Sequence, residues 1–284
     1  MNFHTDEVFL MGKKDDNLKT CEDAYVLTEN LVAVIDGCTA LSDKTWGGKA
    51  PGRFAAETLK EILEFLSRQT IWLSFCSAHE FFLKVNELFL GRIREVSGDE
   101  LLYEKGGPSA MLIVFNAVRG LVWTYGDCQC YINGKYHCME KKIDNILSSA
   151  RKVCIESLLS SGKYTEADLL ENDISRECIL PVLQLQTELA NNPHFEYGYP
   201  VIDGYTVNKK MIREYIPEPG SKIILASDGY PRLEKTLEKS EKSLAEILKL
   251  DPLCYKFFSS PKGLVPGNQS FDDRCYVRIE LEKE

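Results

Sequence analysis

Residues 221–234 read SKIILASDGYPRLE, a stretch in which an apolar run ends at an acidic residue. Residues 223–227 have the composition and length of a buried strand, which stops abruptly at Asp228–Gly229. The same arrangement occurs in NLVAVIDGCTA, residues 30–40, where the strand ends at Asp36–Gly37. Because burial disfavours an ionised carboxylate, each of these strand ends needs a partner that stabilises the negative charge.

Further carboxylates lie beside other apolar runs. They are Glu22 and Asp23 in CEDAYVL, Asp127 in VWTYGDCQCYI, and Asp272 and Asp273 in QSFDDRCYVRIEL. If these groups meet in one partly dry site they repel each other, and a hard cation such as Mg²⁺ or Mn²⁺ would keep them ionised. The glycine after Asp36 would let the backbone approach closely and offer its carbonyl as a ligand. Taken singly, Asp–Gly after a strand is also a common turn sequence.

The composition is that of an acidic globular protein. The 284 residues are 44% hydrophobic and 27% charged, and 43 acidic against 34 basic side chains give a net charge of −9. That balance argues against nucleic acid as the main partner.

Ten cysteines without a CxxC pair, and only four histidines, disfavour a zinc site and indicate reduced thiols in a cytoplasmic protein. No leader and no apolar run of about 20 residues is visible, so no membrane association is expected.

The spacing of apolar residues predicts an α+β protein. Strands are predicted at residues 24–36 (as a hairpin), 110–118, 121–125, 199–207, 221–227 and 275–281, with a further hairpin turning at Asn133–Gly134. Helices are predicted at 53–67, 79–96 and 243–250. Short links between consecutive strands imply antiparallel pairing, because a parallel pair needs a long crossover. We expect a single domain, residues 1–284, with a helical insert or flap at about 140–198.

Six motifs in order resemble those of the metal-dependent type 2C protein phosphatases, the PPM family. They are CEDAYVL, VAVIDG, GGPSAMLIVF, TYGDCQCYI, IILASDGY and FDDRCYV, and they lie between about residues 20 and 281. Each motif alone is weak, but six in this order are fairly specific. The resemblance, to a bacterial-type member, implies a four-layer α-β-β-α sandwich of two antiparallel sheets flanked by helices.

The resemblance also implies two divalent cations, Mn²⁺ or Mg²⁺, with a position for a third. The metal-site residues that it implies are Asp36 as the bridge, Gly37 through its carbonyl, Asp228 and Asp272 for the other ion, Asp127 for the third, Glu22 for water, and Asp23 in support. Of these, Asp36, Asp228, Asp272 and Glu22 would be the catalytic residues. The implied activity is hydrolysis of phosphoserine and phosphothreonine in protein substrates by a metal-activated water, without a protein nucleophile.

Two departures from the family pattern leave alternatives open. Cys38 stands where many members have a histidine proposed as general acid, and it is most simply a small buried side chain. No arginine precedes the acidic pair to grip phosphate, and Lys13, Lys14 or Lys19 would replace it as point charges or lie in a solvated loop. The alternative functions are a catalytically weak relative that binds a phosphorylated partner, and a phosphatase of small metabolites. We expect a monomer.

Overall fold

Ten strands and seven helices make up the fold in the computed structural model, which describes residues 1–14, 18–39, 44–97 and 106–283. The strands are β1 (Phe3–Met11), β2 (Asp23–Leu27), β3 (Leu31–Gly37), β4 (Ala110–Asn116), β5 (Leu121–Tyr125), β6 (Gln129–Ile132), β7 (Lys135–Cys138), β8 (Arg213–Tyr215), β9 (Lys222–Ala226) and β10 (Arg274–Leu281). The helices are α1 (Pro51–Leu66), α2 (Thr70–Phe75), α3 (Ala78–Ser97), α4 (Lys142–Ser160), α5 (Glu166–Glu171), α6 (Ile174–Leu185) and α7 (Leu237–Leu250).

The strands form two five-stranded sheets whose ladders are all antiparallel. Sheet I has the order β2-β3-β4-β5-β8, and sheet II has the order β1-β10-β9-β6-β7. Helices α1 and α3 cover the outer face of sheet I, and the start of α7 packs on the outer face of sheet II. The expected α-β-β-α sandwich is thereby confirmed.

The core between the sheets explains why several strands read as continuous apolar runs. All seven residues of β4 are buried, because sheet II covers one face of this strand and helices cover the other. Val34 and Ile113 of sheet I share this core with Leu225 and Val277 of sheet II. A strand buried on both faces shows no alternation of apolar and polar residues. The sequence therefore predicts where the strand lies along the chain, but not which strands it pairs with.

A second core, rich in aromatic rings, joins sheet I to its covering helices. Phe81 of α3 is fully buried, and its ring centroid lies 5.2 Å from that of Trp123 on β5 and 5.9 Å from that of Trp72 on α2. The amphipathic pattern of α1 places its apolar face on the same sheet, and Pro51 opens the helix at a position that needs no backbone N–H donor.

Four elements differ from the sequence-based expectations. The predicted strand at residues 199–207 is wrong, since this segment makes only single bridges, from Tyr199 to Ala190 and from Ile202 to Ala110. Strands β1 and β8 and helix α2 have no counterpart among the predicted elements. β1 is an edge strand that mixes acidic and apolar residues without strict alternation, and β8 has only three residues. Such short or edge elements carry little signal in their composition.

Helices α4, α5 and α6 occupy the segment for which the sequence predicts a helical insert. Helices α4 and α6 pack on each other and extend the core between the sheets with Ile143, Leu147, Ile179 and Leu183. The side chain of Asp173 accepts a hydrogen bond from the backbone N–H of Arg176 and so caps the start of α6. Within the described ranges, none of the helices has both the length and the apolar character needed to cross a bilayer.

Candidate metal centre

Strand ends bring three aspartates from distant parts of the sequence to one place. Asp36 is the next-to-last residue of β3, Asp127 lies two residues after the end of β5, and Asp228 lies two residues after the end of β9. One carboxylate oxygen of each lies within 4.8 Å of the others. The backbone amide of Asp228 also lies 3.5 Å from Asp36 Oδ2, to which it donates a hydrogen bond. Since β3 belongs to sheet I and β9 to sheet II, these three side chains, here called the aspartate cluster, join the two sheets.

Two glycines allow the backbone to approach itself closely beside the cluster. A Cβ atom at Gly37 would lie 2.3 Å from the carbonyl oxygen of Gly52 and 2.4 Å from that of Glu22. A Cβ atom at Gly229 would lie 1.9 Å from the carbonyl oxygen of Asp273. A side chain cannot fit at these distances, so each Asp–Gly pair serves close backbone packing as well as ending a strand.

Burial and mutual repulsion raise the pKa of all three carboxyls in the cluster. Burial is the largest cause for each, and the charge of neighbouring aspartates adds to it. The pKa of Asp127 rises to about 8, the pKa of Asp228 rises to about 6, and the pKa of Asp36 lies well above its ordinary value. Without a cation, part of the cluster therefore holds protons at neutral pH, and a divalent ion would stabilise the ionised forms instead.

Two buried carboxylate oxygens find no hydrogen-bond partner in the part of the chain that the structure describes. They are Asp127 Oδ1 and Asp23 Oδ2. Asp23 lies directly opposite Asp36 in the β2–β3 ladder, and burial followed by repulsion from Asp273 raises its pKa well above the ordinary value. Because unpartnered buried polar atoms are rare, these oxygens point to a ligand. An all-carboxylate donor set suits Mg²⁺ or Mn²⁺, so the residues present fit a hard divalent cation.

Asp272, which the resemblance implies as a metal ligand, is held by two lysines. The ammonium of Lys262 forms an ion pair with Asp272 Oδ2, and Lys13 Nζ lies 3.7 Å from Asp272 Oδ1. Burial acts to raise the pKa of Asp272, but the two ammonium groups outweigh it and the pKa lies below its ordinary value. Asp272 lines the same cavity as Asp36 and Asp228, and its charge is balanced by the chain's own cations.

Glu22 belongs to a second group, which surrounds Lys13. Glu22 Oε2 lies 2.9 Å from Lys13 Nζ and accepts a 2.8 Å hydrogen bond from Thr39 Oγ1. The carboxylate of Asp273 accepts hydrogen bonds from the backbone N–H of Lys13, at 2.6 Å, and from that of Glu22, at 3.1 Å. Asp273 is thus a brace between the N-terminal segment and the start of β10, and Glu22 is tied to Lys13 and Thr39 rather than to the aspartate cluster.

Comparison with known proteins identifies the fold. No family model matches the sequence, and no curated protein matches it. The crystal structure of the serine/threonine phosphatase PstP/Ppp of Mycobacterium tuberculosis matches with a TM-score of 0.52 and 14% identity, over 99% of this chain and 100% of that chain. The catalytic domain of PstP in complex with two manganese ions matches with a TM-score of 0.51 and 12% identity, over 99% of both chains. The chain has the PPM phosphatase fold. At these identities the likeness shows the fold alone.

Two thiols lie close to the centre of this PPM fold. Cys38 follows β3 and lines the cavity, and burial raises the pKa of its thiol to about 12. Burial also raises the pKa of the Cys128 thiol well above its ordinary value. Both groups are therefore neutral at physiological pH, and neither supplies a thiolate nucleophile. A neutral thiol at Cys38 is at most a weak proton donor in the place where the family pattern has histidine.

A cavity of about 540 Å³ lies over the aspartate cluster, and its walls contain cationic groups that the sequence analysis does not assign. Arg176 enters it from α6, and Lys262 enters it from the segment between α7 and β10. Neither stands in a recognisable motif: Lys262 lies in SSPKGLV, and Arg176 lies in a helix of mixed polarity. Only the fold places them beside the carboxylates, so no signal in the sequence could have selected them.

Proposed function

We propose that this chain is a metal-dependent serine/threonine phosphoprotein phosphatase that hydrolyses phosphomonoesters. The aspartate cluster carries the proposal, because it places carboxylate oxygens from both sheets within 4.8 Å of one another beneath a cavity. The shared fold with PstP, which has been solved with two manganese ions, supports the extension of a Mn²⁺ or Mg²⁺ requirement to this chain.

The chain's own residues have distinct parts in this proposal. Asp36, Asp127 and Asp228 would hold the first cation, with the Gly37 carbonyl beside them, and Asp272 would take part in a second site. A divalent ion at this position supplies Lewis-acid activation of water and of the phosphoryl oxygens. Asp23 would orient the cluster from the facing strand, and Glu22 would hold water at the edge of the centre. The neutral thiols leave the attack on phosphorus to water.

Phosphate release with Mn²⁺ and with a chelator tests the proposal. The substrates are a phosphoserine peptide, a phosphothreonine peptide, p-nitrophenyl phosphate and a panel of small phosphorylated metabolites. Peptide turnover that needs Mn²⁺ and disappears in Asp36→Asn supports the proposal, while Glu156→Gln, which alters an exposed carboxylate of α4, should retain it. Turnover that survives both the chelator and Asp36→Asn contradicts the proposal, and turnover confined to the metabolites would assign a small-molecule phosphatase.

A catalytically weak protein that binds a phosphorylated partner is the second candidate. One observation favours it: both oxygens of Asp272 already face ammonium groups, from Lys13 and Lys262. If these ion pairs persist when Mn²⁺ binds, the second cation has lost one of its ligands. Titration calorimetry with Mn²⁺ distinguishes the candidates, since phosphopeptide binding without turnover, together with fewer than two Mn²⁺ per chain, would favour the binding protein.

A further inference from the structure

Lys13 is fully occupied by the chain's own acceptors. Its Nζ atom lies 2.9 Å from Glu22 Oε2, 3.2 Å from Asp273 Oδ2 and 3.3 Å from Thr39 Oγ1. An ammonium has three N–H donors, so these acceptors use all of them. A phosphate would have to displace one of the acceptors to bind Lys13. Lys13 is therefore a structural tie, so a group that binds phosphate must be a cation with N–H donors left for it.

Lys262 has donors left for a ligand. Its side chain is 25% exposed and lines the cavity over the aspartate cluster. Among the residues that the structure describes, Asp272 is the only acceptor paired with its ammonium, which leaves two N–H donors unassigned. The ammonium is therefore held at the carboxylate end of the cavity and remains accessible from it.

Arg176 supplies a second cation to the same wall. Its Nη1 atom donates a 2.7 Å hydrogen bond to the carbonyl of Pro261, the residue that precedes Lys262. Within the described ranges, no other acceptor is paired with this guanidinium, which has five N–H donors in a planar fork. The fork matches the geometry of phosphate oxygens and can bind two of them at once.

A buried arginine fixes the segment that carries Lys262. Arg151 of α4 is fully buried and donates to the carbonyls of Leu253 at 2.8 Å and Ser260 at 3.1 Å. The guanidinium also pairs at 2.6 Å with Asp173, the residue that caps the start of α6 next to Arg176. The insert therefore sets the positions of Arg176 and of the segment that carries Lys262, and a ligand does not have to bear the cost of ordering that backbone.

We propose that Arg176 and Lys262 form the subsite that binds the phosphate group of the substrate, an inference that rests on the phosphatase function proposed above. A phosphomonoester that approaches the aspartate cluster carries negative charge into a site rich in carboxylates. The two cations offset that repulsion at the point where the phosphate arrives. The subsite takes over the task that an arginine before the acidic pair performs in the family pattern.

Binding of inorganic phosphate to the full-length, Mn²⁺-loaded chain tests this inference by titration calorimetry. Lys262→Gln and Arg176→Gln should each weaken phosphate binding by roughly 10- to 100-fold, the usual effect of losing a charge-assisted hydrogen bond. Arg176→Lys, which keeps the charge and loses the fork, should weaken it less. Lys256→Gln is the matched control, because Lys256 lies in the same segment but pairs with Glu166 away from the cavity. Mn²⁺ affinity is measured for every variant and should not fall.

The outcomes separate this inference from the phosphatase proposal. Phosphate affinity within about twofold of wild type in both glutamine variants overturns the subsite, and so does a wild-type protein that binds no phosphate. If Arg176→Gln disturbs the fold, shown by its thermal unfolding, then Lys262→Gln and Arg176→Lys carry the test. A wild-type protein that binds phosphate through these residues and hydrolyses no phosphopeptide supports the subsite and refutes the phosphoprotein phosphatase.

Discussion

Replacing Asp127 by asparagine in the metal-free protein tests the electrostatic account of the aspartate cluster. Burial, followed by repulsion from Asp228, raises the pKa of Asp127 from 3.8 to about 8. Between these two values the folded protein keeps a proton that the unfolded chain has released. The free energy of unfolding therefore falls as the pH rises through this interval, since the unfolded state binds fewer protons there. Asparagine does not titrate, so Asp127→Asn removes this loss.

The size of the effect follows from the same pKa. Each pH unit between 3.8 and about 8 lowers the contribution of Asp127 to the free energy of unfolding by about 1.4 kcal/mol. If Asp127 titrated independently, its loss of free energy of unfolding from pH 5 to pH 8 would be about 4 kcal/mol. The neighbouring carboxyls share protons with Asp127, and this coupling reduces the loss. We expect the stability of Asp127→Asn, relative to wild type, to increase by about 1–3 kcal/mol between pH 5 and pH 8.

Urea unfolding followed by tryptophan fluorescence, at several pH values and with a chelator present, measures this difference. Glu156→Gln removes an exposed carboxylate of α4 and should follow the wild-type pH profile. Addition of Mn²⁺ should stabilise the wild type more at pH 8 than at pH 5, because the cation replaces protons that the cluster holds at low pH. Parallel pH profiles for Asp127→Asn and wild type would refute the reasoning, as would a variant that loses more stability than wild type on going from pH 5 to pH 8.

Three further substitutions separate the site from its scaffold. Gly37→Ala would place a Cβ atom 2.3 Å from the Gly52 carbonyl oxygen, so Mn²⁺ binding by calorimetry should weaken together with stability in urea. Arg151→Met leaves Asp173 without its buried partner and should lower the free energy of unfolding by about 3–5 kcal/mol, measured by chemical denaturation. Phe81→Ala empties a fully buried ring position and should cost about 3–5 kcal/mol while Mn²⁺ affinity stays unchanged, as calorimetry on the folded variant would show.

The sequence predicts the parts of the fold whose residues meet a uniform environment. β3, β4 and β9 are apolar because both of their faces are buried, and α1 has a single buried face, so each leaves a clear pattern. The segment at 199–207 contains apolar residues for another reason. Tyr199 and Ile202 fill core positions, but the segment pairs only at single bridges, so its composition reports burial without a ladder.

The site divides in a similar way. Asp36, Asp127 and Asp228 lie at strand ends, where the chain leaves the sheet at a position that the pattern fixes, and the structure brings their side chains together. The resemblance implies Glu22 and Asp272 as part of the same site, and the structure places both against ammonium groups. The sequence shows that carboxylates recur beside apolar runs. It does not predict how far each carboxylate lies from a lysine, because that distance depends on loops that have no periodicity.

Arg151 explains why the cationic side of the cavity escapes prediction. A fully buried arginine is unfavourable unless its charge is paired and its N–H groups find acceptors. The partners of Arg151 are Asp173 and two carbonyls of the segment that carries Lys262. The insert and that segment are therefore stabilised together. The aspartate cluster depends on the sheets, while Arg176 and Lys262 depend on the insert. Changes in the insert should accordingly alter phosphate affinity and leave the carboxylate geometry intact, a separation that the Mn²⁺ and phosphate titrations of the same variants measure directly.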